Sequence, residues 1–170
     1  MYLVFSTSLN PDSRSRILAR AAVRLLREHG DSVRLVDLAE LNLPLCDGHD
    51  CYAQEAVVSV REAVEQARGI LIATPIYNYN VAASAKNLVE LTGKAWTEKV
   101  VGFLCAAGGA GSFMAPMGLA NSLMLDFHSL ILPRFVYASG ESFSGQEIAD
   151  TDCEDRVRQL VQLLVRVSSA

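Results

Sequence analysis

Residues 5–17, FSTSLNPDSRSRI, carry four serines, a threonine and an asparagine between an apolar run and an arginine-rich one. Serine hydroxyls, asparagine amides and free backbone N–H groups are donors that proteins use to hold phosphate oxygens. The candidate donors are Ser8, Asn10, Ser13 and Ser15. Ser13 can also cap a following helix, and the alternative interpretation is that all four only form a turn and a cap.

A second polar segment, ATPIYNYNVAASAKNLVEL at residues 73–91, begins with a proline directly after an apolar run. Because proline cannot donate to a sheet, we expect Pro75 to end that strand. Two tyrosines and two asparagines follow at residues 77–80. This mixture suits a flat heteroaromatic ligand that needs stacking surface and hydrogen bonds at its edge. The alternative is an ordinary polar loop with one tyrosine packed against the next helix.

A third segment, CAAGGAGSF at residues 105–113, contains Gly108, Gly109 and Gly111. Glycines let the backbone approach a ligand closely and leave its N–H groups free to donate. A flexible turn into the next helix is the simpler explanation. Three segments of this character predict a ligand site if the fold brings them together.

The rest of the chain alternates between strand and helix patterns. Apolar runs of strand length lie at residues 2–6, 33–38, 69–74, 99–107 and 130–138. Apolar positions at helical spacing lie within residues 17–26, 57–67, 82–91, 114–127 and 157–167, and Gly30 follows the first of these helices. This alternation predicts a parallel α/β sheet with right-handed crossovers and helices on both faces. In such a sheet the ligand site lies beyond the carboxyl ends of the strands, where residues 7–14, 75–81 and 106–112 are expected to meet.

Composition sets limits on function. The 170 residues are 51% hydrophobic and 20% charged, with a formal net charge of −4, which is typical of a compact soluble protein. We expect one domain over residues 1–170, no nucleic-acid partner and no membrane partner. The first residues lack the pattern of a signal peptide, so we expect a cytoplasmic protein whose four cysteines are reduced.

With these motifs in view, the chain resembles the NADPH-dependent FMN reductase family of flavodoxin-like proteins, which includes azo- and quinone-reducing members. Its first segment is similar to the family pattern of Gly-Ser, a basic residue two positions later, then Ser and Asn. Ser8 and Ser13 match this pattern, whereas Thr7, Asn10 and Ser15 stand where the glycine, the basic residue and the asparagine are usual.

The second segment carries the more specific resemblance, to a family motif of Pro-x-Tyr-Asn followed by Leu-Lys-Asn-x-x-Asp. The matching residues are Pro75, Tyr77, Asn78, Lys86 and Asn87. Ala82, Ala85 and Glu90 depart from the family pattern, which has a proline, a leucine and an aspartate there. We expect Lys86 and Asn87 to set the helix rather than to touch a ligand.

The resemblance implies a flavodoxin-like three-layer sandwich with a five-stranded parallel sheet in the order 2-1-3-4-5. It implies FMN with its phosphate in the first loop and its ring between the second and third loops. The implied cofactor-binding residues are Ser8, Asn10, Ser13, Ser15, Pro75, Ile76, Tyr77, Asn78, Tyr79, Ala107, Gly108 and Gly109. It also implies that NADPH or NADH delivers a hydride through FMN to a small electron acceptor, a flavin, quinone or azo compound, and that the protein forms a homodimer or homotetramer.

Because a flavin carries the redox chemistry itself, no catalytic side chain is named. The missing basic residue at Asn10 and the added charge of Asp12 both weaken the expected phosphate site. Arg14 or Arg16 can compensate for them, or else can face water as helical arginines often do. The alternative function is therefore a flavodoxin-like binding or regulatory module that has lost tight FMN binding.

Other chemically suggestive residues have structural explanations. The segment CDGHDC at residues 46–51 is one loop that rarely supplies a full tetrahedral ligand set, so we expect no metal site. Cys105 begins a loop similar to that of tyrosine phosphatases, but Gly111 stands where the required arginine would be. We expect His128 to be structural, and Trp96 to lie in the core or in an interface.

Overall fold

The computed structural model describes residues 1–169. Its strands are β1 (Tyr2–Ser6), β2 (Val33–Asp37), β3 (Gly69–Tyr77), β4 (Asn80–Val81), β5 (Val100–Ala106), β6 (Leu130–Ile131), β7 (Val136–Ala138), β8 (Phe143–Ser144) and β9 (Glu147–Ile148). Its α-helices are α1 (Arg14–Glu28), α2 (Glu55–Gln66), α3 (Ala83–Thr92), α4 (Met117–Phe127) and α5 (Thr151–Ser168). No helix within residues 1–169 is long and apolar enough to cross a membrane.

The main sheet runs in the order β2-β1-β3-β5-β6, and these strands are parallel. This is the predicted order 2-1-3-4-5, with β5 as the fourth predicted strand. The fifth predicted strand is split into β6 and β7, which pair with opposite halves of β5. The split follows from Pro133, which lies between the two pieces and has no N–H to donate to the ladder.

Helices cover both faces of the sheet, as predicted. Helices α1 and α5 pack on the face formed by the Tyr2 and Val4 side chains, and α2, α3 and α4 pack on the face formed by Leu3 and Phe5. Successive strand residues point to opposite faces, and both sets are fully buried, which explains why the central runs are apolar throughout. Trp96 is fully buried in the core on the Leu3 and Phe5 face. This agrees with the first of its two expected positions, the core or an interface.

Strand β3 is longer than predicted, because it continues through Pro75 to Tyr77. Thr7 N–H donates to the carbonyl oxygen of Ala73 at 2.9 Å, so the odd-numbered backbone groups of β3 face the β1 side. Strand β1 ends at Ser6, so the nitrogen of Pro75 lies beyond the last residue pair between β1 and β3. Proline is tolerated there because no backbone N–H is needed to pair with β1. The expectation that Pro75 ends the strand is wrong for this reason.

Helix α4 begins at Met117 rather than near residue 114, where the apolar stripe begins. Pro116 lies directly before α4, and helical geometry is disfavoured for the residue that precedes a proline. Ala115 therefore marks the boundary, and Met114 is an exposed residue of the preceding turn.

Candidate functional site

The three predicted loops meet at the carboxyl ends of β1, β3 and β5, around a cavity of about 280 Å³. The residues that line it are Ser8, Asn10, Asp12, Ser13, Arg14, Ser15, Pro75, Ile76, Tyr77, Ala106, Ala107 and Gly108. Nine of the twelve residues expected to bind a cofactor are among them. The other three, Asn78, Tyr79 and Gly109, are exposed and do not line the cavity.

We call residues 8–15 the anion loop. Ser8 Oγ accepts the N–H of Asn10 at 3.2 Å, and Asn10 Oδ1 accepts the N–H of Asp12 at 3.0 Å, so each of these side chains stabilises the turn that follows it. Just before the loop, the N–H and the Oγ1 of Thr7 both donate to the carbonyl oxygen of Ala73, at 2.9 and 3.1 Å. The loop is therefore attached firmly to the end of the sheet.

Arg16 holds the anion loop from beneath. Arg16 is four residues before Arg20, a spacing that predicts a position on the polar side of α1. Its side chain is nevertheless only 9% exposed. The guanidinium pairs with Asp37 at the end of β2, whose side chain is 8% exposed. It also donates to three carbonyl oxygens of the loop, those of Asn10 and Pro11 at 2.8 Å and that of Ser8 at 3.3 Å. The hydrogen bond to Asp37 raises the pKa of Arg16, so this group stays charged.

These contacts give the loop a surface rich in donors. Three loop carbonyl oxygens are engaged by Arg16, which reduces the negative charge that the loop presents to the cavity. The N–H groups of Arg14 and Ser15 lie in the first turn of α1, where no helical partner exists for them. Ser8 is buried, and within residues 1–169 its hydroxyl proton has no acceptor. The arrangement therefore suits an anion beside a helix N-terminus.

Ser13 and Ser15 complete the donor set. Ser13 caps α1 as predicted, because its Oγ accepts the N–H of Arg16 at 3.4 Å. The two serine Oγ atoms are 2.8 Å apart, and either can donate to the other. When Ser13 donates to Ser15, the Ser15 proton is free to bind a ligand.

Residues 75–81 form a β-hairpin, in which Ile76 pairs with Val81 and Tyr77 with Asn80. Asn78 and Tyr79 form its two-residue turn and have positive φ angles of 50° and 62°. Two positive φ angles in succession are typical of a primed turn, which matches the twist of the flanking strands. The turn directs the chain back over the cavity edge, and both tyrosine side chains are more than half exposed.

The glycine-rich loop after β5 closes the cavity on its third side. Ala107 N–H donates to the carbonyl oxygen of Ala138 at 2.9 Å, so it is not available to a ligand. Tyr137 hydroxyl donates to the carbonyl oxygen of Gly109 at 2.6 Å and fixes the loop from outside. A Cβ at Gly108 or Gly109 would meet no atom of the described chain within 4 Å. The chain itself does not require glycine there, and the space next to Gly108 is open to the cavity.

Lys86 and Asn87 lie on α3, away from the cavity. The Asn87 side chain accepts the N–H of Cys46 and donates to the carbonyl oxygen of Pro44, both at 2.8 Å. Lys86 pairs with Glu90 one turn along the helix, at 2.6 Å. Lys86 therefore stabilises the helix itself, whereas Asn87 attaches residues 44–46 to it.

The remaining candidates fall outside the cavity lining. Burial raises the pKa of Cys105 to about 12, and a protonated buried thiol is a poor nucleophile, which argues against phosphatase chemistry. His128 has a φ of 55° and ends α4 in the left-handed conformation, a structural role. Within residues 1–169 no three His, Cys, Asp or Glu side chains are grouped to hold a metal ion.

Three lining residues, Asp12, Arg14 and Ala106, were not among the twelve expected to bind a cofactor. Two further residues that support the anion loop from outside the cavity were not predicted at all. Asp37 pairs with Arg16, and Ser84 on α3 donates a hydrogen bond to the carbonyl oxygen of Thr7. The signal for Asp37 was an acidic residue directly after the apolar pair Leu35 and Val36 at the end of β2, the strand next to the one that carries the anion loop. The sequence offered no comparable signal for Ser84.

Residues 2–143 match the protein family described as NADPH-dependent FMN reductase. The chain belongs to this family. Membership confirms the resemblance found in the sequence, and with it the predicted class of oxidoreductase that uses FMN and NAD(P)H.

Named relatives agree with this assignment, and a solved structure shares the fold. The chain is 30% identical over 173 residues to an NAD(P)H-dependent FMN reductase of Pseudomonas aeruginosa, covering 95% of this chain and 91% of that protein. It is 28% identical over 138 residues to an NAD(P)H-dependent FAD/FMN reductase of Geobacillus thermodenitrificans, covering 79% of this chain and 75% of that protein. The fold matches that of the flavoenzyme NAD(P)H:(acceptor) oxidoreductase FerB of Paracoccus denitrificans, with a TM-score of 0.81 at 19% identity, over 99% of this chain and 96% of that one.

Proposed function

We propose that this reductase binds FMN in the 280 Å³ cavity and passes a hydride from NAD(P)H to a small electron acceptor, a flavin, a quinone or an azo compound. The observation that carries the proposal is the anion loop, whose donors are directed by Arg16 toward the same cavity that the hairpin and the glycine-rich loop border. A site for a phosphate monoester next to space for a planar ring is the combination that FMN requires.

The residues present fit the cofactor at both ends. Ser8, Ser15 and the first N–H groups of α1 would hold the phosphate, which carries about −1.5 to −2 charges at neutral pH. Pro75, Ile76 and Tyr77 would lie along the ring, and the open space above Gly108 leaves room for it. Asn78, Tyr79 and Gly109 are proposed as the outer edge of the ring site.

When bound, FMN accepts a hydride from the nicotinamide and transfers reducing equivalents to the acceptor. The protein's part is to bind, orient and expose the ring. Because the N–H of Ala107 is already bonded to Ala138, the edge donors on this side are those of Gly108 and Gly109. The exposed side chains of Tyr77 and Tyr79 leave one side of the site open, where a nicotinamide or a flat acceptor can stack.

An anaerobic titration of the purified protein with FMN, followed by one equivalent of NADPH, tests the proposal. We expect a shifted flavin absorbance band that saturates, then bleaching on addition of NADPH. Acceptor turnover is then measured with FMN, a benzoquinone and an azo dye in parallel. If FMN absorbance and fluorescence stay unchanged at millimolar protein, the enzyme proposal fails. The alternative, a flavodoxin-like module without tight FMN binding, then replaces it.

We also propose that the protein assembles as a homodimer through the face formed by α3 and α4. Two cavities of about 910 and 650 Å³ lie along this face and share Cys46, Lys86, Glu90 and Ser122 among their lining residues. Leu45 and Leu125 border them and are 83% and 80% exposed, so they offer apolar surface on this face that a second copy of the chain would cover.

Light scattering coupled to size-exclusion chromatography tests this assembly. The Leu125→Glu variant should shift the mass toward the monomer, because burying an unpaired charge in a subunit contact is costly. Gln162→Glu, an exposed residue of α5 on the opposite face of the sheet, is the matched control and should leave the mass unchanged. A monomeric wild-type protein would contradict the proposal.

A further inference from the structure

A phosphate in the anion loop would need a cationic partner, and residues 8–13, which precede α1, supply none. Asn10 stands where the family pattern has a basic residue, and the Asp12 carboxylate lines the same cavity. Two arginines of α1 are near enough to be considered, Arg14 and Arg16. The structure distinguishes between them.

Arg16 has no donor left for a ligand. A guanidinium carries five N–H donors. In this structure Arg16 makes five hydrogen bonds, two to the Asp37 carboxylate and three to loop carbonyl oxygens. Its charge is also paired with that of Asp37. Arg16 therefore shapes the loop without binding its ligand.

Arg14 differs in each respect. It is exposed, it lines the cavity together with Ser8, Ser13 and Ser15, and it is the first residue of α1. It forms no ion pair with any carboxylate of residues 1–169. Its guanidinium lies against Gly140, where a Cβ would come within 2.7 Å of Nη1. The guanidinium therefore lies next to the backbone that follows β7, at the edge of the cavity that Arg14 lines.

We infer that Arg14 supplies the cationic contact to the phosphate monoester of FMN, in the role of the basic residue that Asn10 replaces. The inference rests on the proposed function and adds a specificity residue to it. A guanidinium can donate two parallel hydrogen bonds to phosphate oxygens, and the N–H groups of the α1 terminus bind the same group from the other side. Together they offset the charge of Asp12.

Dissociation constants for FMN and for riboflavin, measured by quenching of flavin fluorescence, test this role. Riboflavin lacks only the phosphate, so the ratio of the two constants isolates the phosphate contact. Arg14→Gln should raise the constant for FMN about tenfold and leave that for riboflavin within about twofold. The FMN dissociation constant of Arg14→Lys should lie between those of the wild type and Arg14→Gln, since an ammonium keeps the charge but loses the paired geometry. Arg20→Gln, an exposed arginine of the same helix outside the cavity, should change neither.

Each other outcome overturns a distinct statement. If wild-type protein prefers FMN to riboflavin and Arg14→Gln keeps the full preference, Arg14 is not the phosphate ligand and the proposed function stands. If Arg14→Gln leaves FMN binding unchanged but raises KM for NADPH relative to NADH, Arg14 binds the 2′-phosphate of the nicotinamide nucleotide instead, and the inference is wrong. Failure of wild-type protein to bind either flavin overturns the proposed function and the inference together.

Discussion

The anion loop and the hairpin at residues 75–81 border the same cavity, but different forces hold them in place. The anion loop is fixed by a buried ion pair and by hydrogen bonds from one guanidinium to three of its carbonyl oxygens. The hairpin is held by two residue pairs of a short antiparallel ladder, and it ends in a turn with two positive φ angles. Its tyrosine side chains are largely exposed.

This difference suggests that the anion loop and the hairpin contribute differently to ligand binding. A loop whose carbonyl oxygens bind a guanidinium, and which ends in the free N–H groups of Arg14 and Ser15, discriminates by charge. Exposed aromatic side chains instead contribute contact area that is similar for any flat ring. Substitutions at the anion loop should therefore separate FMN from riboflavin, and substitutions at the hairpin should affect both flavins alike.

The largest expected effect is that of Arg16→Met. It leaves the Asp37 carboxylate buried without its partner and releases the loop carbonyl oxygens, so we expect a loss of about 3 kcal/mol in the free energy of unfolding. We expect FMN affinity to fall by about 100-fold because the loop loses its arrangement. Chemical denaturation and flavin fluorescence measure the two effects.

A double variant shows whether the ion pair acts through the loop or only through stability. Arg16→Met combined with Asp37→Leu removes both charges, and much of the lost stability should return. FMN affinity should remain low, since nothing then engages the loop carbonyl oxygens. Recovery of FMN affinity in the double variant would show that the loop keeps its arrangement without Arg16.

A smaller effect is expected for Tyr77→Ala at the hairpin. Loss of a half-exposed aromatic surface should weaken FMN and riboflavin binding alike by about fivefold, or roughly 1 kcal/mol. Tyr52→Ala, in the groove beside α3, is the matched control and should change neither constant. An effect on FMN alone would contradict the division between the two regions.

Tyr79→Gly tests the hairpin turn itself. Tyr79 has a φ of 62°, which is costly for a residue with a Cβ, and an Asn-Gly turn is the sequence that primed hairpins favour. We expect the free energy of unfolding to rise by about 0.5 kcal/mol. Tyr77→Gly, at a strand position of the same hairpin, should lower it instead, and urea denaturation compares the two. A loss of stability in Tyr79→Gly would mean that contacts of the Tyr79 side chain contribute more to stability than the strain of its backbone costs.

The smallest expected effect is that of Asp12→Asn in the anion loop. Removing an exposed negative charge near a bound phosphate should strengthen FMN binding by about twofold at low salt, and less as salt screens the interaction. Riboflavin binding should not change. Asp155→Asn, exposed on α5, provides the control for net charge. If FMN binding weakens in Asp12→Asn, the Asp12 charge does not oppose the phosphate and this prediction is wrong.

Much of the fold could be predicted from the sequence. The strands of the parallel sheet were recovered because strands buried on both faces are apolar throughout, a pattern that needs no knowledge of neighbours. The order of the strands in the sheet came from the family resemblance, and the structure agrees with it. The meeting of the three loops followed from the same topology. The length of β3 could not be predicted, because whether Pro75 is tolerated depends on where β1 ends beside it.

The site shows the same limit. Hydroxyl-rich and glycine-rich loops are local features, and nine of the twelve expected residues line one cavity. The place of Arg16 was not predictable, since its helical spacing is that of an exposed arginine and only Asp37, 21 residues later, makes its burial favourable.

The sequence by itself determined the order of strands and helices, the positions of the three loops and the family to which the chain belongs, because hydrophobic periodicity and short motifs are local properties. Only the tertiary structure decided which arginine has all of its donors bonded within the protein and which can bind a ligand. Arg14 and Arg16 are two residues apart with the same chemistry, but they point to different sides of the helix start. One side meets a buried carboxylate of the neighbouring strand and the other meets the cavity.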